Sequence, residues 1–219
     1  MKSALAVVGG TGAQGFGLAL RLAQAGERIV LGSRSAERAE AALAKLKEQL
    51  PDADATAAEN REAAHLADRI LLSIPFDGLA EFLDGGATWL AGKTVVDVIV
   101  PLAFRKGVAE LRPVEGARSV GELLQQRVPS ARVVSAFKNV PAELLQDLSQ
   151  PVIGDVVLCG EDEAARAEVA ALAEMIPGLH PVDAGGLVNA HALEAITALL
   201  VNLNRRHKAR TSITITGLP

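Results

Sequence analysis

The chain has 219 residues, 49% of them hydrophobic and 22% charged, which suits one large globular domain or one and a half and excludes disordered and fibrous classes. Its net charge of −4 and pI near 5.6 provide no basic footprint for nucleic acid. The single cysteine, Cys159, has no intramolecular disulfide partner, and the lack of any tyrosine excludes reductases that donate a proton from a Tyr–Lys pair. Mean hydropathy is +0.25, yet no run of about 18 apolar residues occurs to span a bilayer. The first apolar stretch is interrupted by glycines too early for a secretory segment. These features predict a soluble cytoplasmic protein with no membrane or nucleic-acid partner.

In chain order, residues 4–8 form a short apolar strand that enters a glycine-rich turn, and Leu18, Leu20 and Leu22 mark a helix stopped at Gly26. A second buried strand over 28–31 closes at Gly32-Ser33-Arg34, and an alanine-rich helix over 36–50 stops at Pro51. The pattern then predicts a short helix at 61–67, a strand at 70–74 broken by Pro75 and a helical turn at 76–83. Further strands follow at 94–100 and 132–137. Strands alternating with helices imply parallel β-α-β units. The last third predicts a strand at 156–159, a helix at 161–175, a strand and turn at 182–186 and a long apolar helix at 189–206, closed by 211–215. The expected class is α/β, a Rossmann-type doubly wound parallel sheet with a small C-terminal α/β cap, divided as 1–145 and 146–219.

Gly10-Thr11-Gly12-Ala13-Gln14-Gly15 matches G-x-G-x-x-G between a strand and a helix, the context that makes this pattern a dinucleotide-binding fingerprint. Gly10 is assigned to the tight turn, Gly12 to the approach of the pyrophosphate and Gly15 to helix–strand packing. The helix start supplies unpaired N–H donors and a positive dipole end. An acid at the end of the second strand would select NAD, but this chain has Ser33-Arg34 there and Arg38 one helical turn on. A hydroxyl and two guanidinium groups are donors for a 2′-phosphate, so NADP is predicted. The alternative pairs Arg34 and Arg38 with Glu37 or Glu40.

Gly9-Gly10-Thr11-Gly12, Gly32-Ser33-Arg34, Ser73-Ile74-Pro75, Val133-Val134-Ser135-Ala136, Leu158-Cys159-Gly160 and Pro181-Val182-Asp183-Ala184-Gly185 together resemble the NADPH-dependent coenzyme F420 reductases, or F420H2:NADP oxidoreductases. The resemblance covers almost the whole chain. It implies hydride transfer between C4 of the nicotinamide and C5 of the deazaflavin, a homodimer, and a cleft between Rossmann body and cap. It also implies that Thr11, Gly12, Ala13 and Gln14 line the NADP phosphates, and that Ser33, Arg34 and Arg38 hold the 2′-phosphate. Ile74, Pro75, Phe76 and Ala80 would then touch the adenosine–nicotinamide stretch, with Ala142 at the nicotinamide end. Lys138 stands where family members often carry histidine; it either faces the deazaflavin ring or lies in water. The basic run from Arg205 to Arg210 either meets the phosphate and glutamyl carboxylates of F420 or complements a helix C-terminus.

Hydride transfer between two bound cofactors needs orientation rather than side-chain acid–base chemistry, and positioning is worth about 7–11 kcal/mol in favourable cases. No catalytic side chain and no metal site is predicted, and His65, His180, His191 and His207 are scattered. Asp97 is an unusual residue for a buried strand. Two other readings keep the fold: an NADPH-dependent reductase of a flavin or other acceptor, and a non-catalytic NADP-sensing module.

Overall fold

Short runs of branched and aliphatic residues become strands here because both of their faces are covered, the condition that parallel sheets require. The computed structural model describes residues 4–218. Its first half alternates regularly: β1 (Leu5–Val8), α1 (Ala13–Gln24), β2 (Ile29–Ser33), α2 (Ala36–Gln49), β3 (Ala55–Glu59), α3 (Asn60–His65) and β4 (Arg69–Leu72). A 3-10 turn (Phe76–Gly78) leads into α4 (Leu79–Gly86), and β5 (Thr94–Asp97) follows. A hairpin of β6 (Leu102–Arg105) and β7 (Val108–Leu111) precedes α5 (Val120–Arg127), β8 (Arg132–Ser135) and α6 (Ala142–Gln146). The chain continues with β9 (Gly154–Gly160), α7 (Glu163–Glu174), β10 (Leu179–Asp183) and α8 (Ala190–His207).

Among the described residues, eight strands form one sheet in the order β10-β9-β8-β5-β4-β1-β2-β3, all parallel to their neighbours except β9, which runs antiparallel to β8. The mostly parallel, Rossmann-type sheet expected from the sequence is the one the chain forms. Leu5 and Val7 face one apolar core with Leu18, Leu31, Leu71 and Val134; Ala6 and Val8 face the other with Ile70, Leu72, Val95 and Leu193. Strand order reverses between β1 and β4, and the crevice at that switch, beyond the C-terminal strand ends, is where such sheets bind ligands. The C-terminal β9 and β10 extend the same sheet, while α8 packs against β7, β9 and α5. No helix among the described residues is long and apolar enough to cross a membrane.

Several elements differ from the sequence expectation. The strand expected over 94–100 ends at Asp97, whose carboxylate Oδ1 accepts the Ile99 amide at 3.0 Å and turns the chain out of the sheet toward the unforeseen hairpin. The strand expected over 132–137 ends at Ser135, because Phe137 enters the left-handed region at φ 57°. The alanine-rich edge strand β3 was not expected from propensity; it forms because β2 offers a free edge, with Ile29 to Ser33 paired against Ala55 to Glu59. Helix α5 was also missed, although Ser119 caps it by accepting the Glu122 amide at 3.1 Å in an S-x-x-E pattern. The closing segment 211–215 lies beside β9, where Asp155 donates its amide to Ile213 O at 2.8 Å.

Candidate functional site

The turn after β1 is shaped by contact with the turn after β4. A Cβ on Gly9 would stand 2.5 Å from the Ser73 carbonyl oxygen, and Gly9 itself is at φ 82°. The tight-turn role assigned to Gly10 therefore falls on Gly9. Gly10 is hemmed instead by Val7 O and the Leu31 side chain, each 2.9 Å from its would-be Cβ. Gly15 meets Gly9 O and the Ser73 side chain at 3.0 Å, so it is the close-packing glycine. Gly12, the N-cap of α1, is exposed, has no side-chain cap, and a Cβ there would meet nothing closer than 3.5 Å. Thr11, Gly12 and Ala13 thus line an open helix start whose N–H donors suit an anion. Asn60 Oδ1 accepts the Gly9 amide at 3.1 Å and buttresses the turn, a role the sequence did not reveal.

Ser33 is buried at the end of β2, whereas Arg34 and Arg38 are exposed, and neither finds a carboxylate partner among the described residues. The alternative pairing with Glu37 or Glu40 is absent. Two free guanidinium groups beside a helix start make a concentrated cationic corner. Past β4, Ile74 and Phe76 are half-buried, Pro75 and Ala80 exposed, and Arg112 lies over the Phe76 ring at 5.0 Å from its centroid.

A second concavity of about 860 Å³, large enough for a drug-sized ligand, adjoins this cradle. Its wall includes Gln14, Asn139, Ala142, Arg205, Lys208 and Arg210, so three cations of the basic run line it. Asn139 is buried, and its Oδ1 is without a hydrogen-bond partner among the described residues. Arg205 lies over Phe104 of the hairpin at 5.4 Å, and Arg210 stands 3.6 Å from Glu143. Gln14 joins the two concavities: its Nε2 donates to Phe137 O at 3.0 Å and Val140 O at 3.2 Å. Its side chain is thus spent on the protein, leaving its backbone to the cradle.

Lys138 also borders this cavity, but its side chain does not lie in water. Its side chain is 0% exposed, and the ammonium lies 2.7 Å from Asp97 Oδ2 and 3.5 Å from Glu194 Oε1. It also donates to the Ile99 carbonyl. A buried charge must be paired, and two carboxylates inside the fold draw this one inward. Asp97 further accepts the Ser135 hydroxyl at 2.8 Å, and Glu194 accepts the Val120 amide at 2.9 Å. Burial pushes the Glu194 carboxyl up to about 7; Lys138 opposes the rise and Asp97 adds to it. Burial also pushes the nearby Cys159 thiol up to about 12, which keeps it neutral. Sequence reasoning missed Glu194, although it lies on the buried stripe of α8 with Ala190, Leu193 and Ala198, where a charge needs a partner.

A mostly parallel sheet carrying a glycine cradle at its switch point places the chain in the Rossmann class of dinucleotide-binding folds. Residues 4–101 match the family model described as NADP oxidoreductase, coenzyme F420-dependent. The F420-dependent NADP reductase of Methanocaldococcus jannaschii is 42% identical over 98% of this chain and 98% of its own length. That of Methanothermobacter marburgensis is 37% identical over 98% of this chain and 99% of its own. A solved protein of Arthrobacter sp. FB24, to which the same activity is ascribed, superposes with a TM-score of 0.82 at 26% identity, covering 99% of this chain and 100% of that one. The chain belongs to the F420-dependent NADP reductase family.

Proposed function

We propose that this chain transfers a hydride directly between NADP(H) and coenzyme F420, with the cradle holding the nucleotide and the basic cavity holding the deazaflavin cofactor. The observation that carries this reading is the shared wall: Gln14 and Ala142 belong to the 860 Å³ cavity, and Gln14 also belongs to the glycine cradle. The N–H groups of Thr11 to Gln14 take the pyrophosphate, and Ser33, Arg34 and Arg38 take the 2′-phosphate. Ile74, Pro75, Phe76 and Ala80 flank the stretch toward the nicotinamide, and Ala142 borders its reactive end. Arg205, Lys208 and Arg210 supply counter-charge for the phosphate and carboxylates of F420. The two cofactors supply the redox chemistry; the protein orients them and excludes water.

The division at 145 follows from this reading: residues 1–145 bind NADP, and 146–219 complete the F420 side and a dimer surface. Leu199 on the outer face of α8 is 56% exposed, and Val188, Phe104 and Val108 are exposed at 55%, 56% and 50%. A second copy covering these residues makes the homodimer, which sedimentation analysis tests directly. A cytoplasmic location fits a lone, buried, unpaired cysteine. The function itself is tested by the absorbance loss of oxidised F420 on mixing with NADPH and protein, with FMN and NADH as controls. Bleaching confined to F420 with NADPH is the expected result. Reduction of FMN at the same rate would move the reading to a flavin acceptor, and NADPH binding without turnover would leave a sensor.

A further inference from the structure

Residues 138–140 belong to the wall of the basic cavity, and Gln14 ties the 137–140 strip to the nucleotide cradle. Phe137 occupies the left-handed region at φ 57°, a conformation that costs a non-glycine residue about 1–2 kcal/mol. The strip is gripped from two directions. On the cradle side, Gln14 Nε2 donates to Phe137 O and Val140 O at 3.0 and 3.2 Å. On the other side, the Lys138 ammonium is enclosed by Asp97 from the end of β5, Glu194 from α8 and the Ile99 carbonyl. Thr197, one turn along α8 from Glu194, donates its hydroxyl to Lys138 O at 2.9 Å. Helix α8 in turn carries Arg205 into the cavity wall.

We propose that Lys138 is a positioning residue for hydride transfer: through Asp97 and Glu194 it locks the 137–140 strip, and so fixes the spacing between the NADP cradle and the F420 wall. The ammonium is enclosed by protein groups. Its three partners come from β5 with the segment that follows it and from α8, so a displacement of either moves the strip against Gln14. This role rests on the F420 reading only for its rate consequences; the mechanical link between Lys138 and the cradle does not depend on the acceptor.

The test uses Lys138→Met and a triple variant, Asp97→Asn with Lys138→Met and Glu194→Gln. The triple variant buries no unpaired charge and keeps the fold where the single variant loses it. In NADPH-bound protein, amide exchange in the triple variant should quicken by about tenfold or more over residues 137–142 and 10–16, with 28–50 and 154–175 unchanged. With F420 and NADPH, kcat should fall by roughly tenfold to a hundredfold while the KM for NADPH stays within about twofold. The isotope effect with nicotinamide deuterated at C4 should rise, because transfer becomes rate-limiting. Native exchange with native kcat overturns the proposal, and so does protection lost evenly across the sheet, which marks a merely structural cluster. A wild-type protein that leaves F420 unbleached refutes the F420 reading alone, and the exchange arm still decides whether Lys138 holds the cradle.

Discussion

The cationic corner at Arg34 and Arg38 and the cationic centre at Lys138 lie on either side of the same nucleotide cradle, and they treat charge in opposite ways. The corner leaves two guanidinium groups exposed without partners among the described residues, so their counter-charge comes from a ligand or from solvent ions. The centre encloses one ammonium at 0% exposure with two carboxylates. An exposed charge is available for recognition and is worth little to the fold; a buried pair is unavailable for recognition, and breaking it is costly. In the function proposed above, the first kind of charge chooses the nucleotide and the second holds the site in shape.

The largest effect expected of this contrast is on stability. Lys138→Met alone strands Asp97 and Glu194 and should cost about 3–5 kcal/mol, read as a lower urea midpoint, whereas Arg34→Ala should change it by less than about 0.5 kcal/mol. Equal losses would erase the distinction. Next is nucleotide choice: Arg34→Ala should weaken NADPH by about 1.5–3 kcal/mol and leave NADH nearly unchanged, since a charge-assisted bond to the 2′-phosphate is the part removed. Titrations showing equal weakening of both nucleotides would make Arg34 a structural residue.

The carboxylate side of the centre provides a pH test of smaller size. Glu194 holds its proton up to about 7 in the folded protein, against 4.5 for an ordinary glutamate. Folding therefore takes up a proton between those pH values, and the contribution of this group to stability falls as pH rises through that window. Glu194→Gln removes the titration while a side-chain oxygen still accepts the Val120 amide. Its stability relative to wild type should rise between pH 5 and pH 8, by on the order of 1 kcal/mol or more. Urea denaturation at the two pH values measures it, and a pH-independent difference would remove Glu194 from the titrating cluster. The smallest effect is expected at Asn60, where alanine deprives the Gly9 amide of its acceptor. That loss is about 1 kcal/mol of stability, with NADPH and NADH weakened together, the opposite signature to Arg34→Ala.

The cradle was legible in the chain because its parts are local. Gly12, Gly15, Ser33 and Arg34 follow strands whose apolar runs are visible, and backbone N–H groups at a helix start need no distant partner. Even so, the positive φ sits at Gly9 rather than Gly10, since it is Ser73, 64 positions along in the sequence numbering, that crowds the turn. The centre was not legible. Asp97 stood out as a polar residue in a strand and Lys138 as a departure from histidine, but nothing local pairs them with each other or with Glu194. The missed hairpin, α5 and α6 are short elements whose stability comes from neighbours rather than from their own periodicity.

By itself, the amino-acid sequence determined the mostly parallel sheet, the glycine turn with its open helix start and the cationic, acid-free end of β2, because alternation, glycine spacing and the absence of a carboxylate are properties of neighbouring residues. The tertiary structure alone decided which charges remain free. Coulomb pairing in a low-dielectric interior depends on distances of a few ångströms between residues that are 41 and 56 positions apart, as Asp97, Lys138 and Glu194 are, and only the packed sheet and α8 bring them within 4 Å.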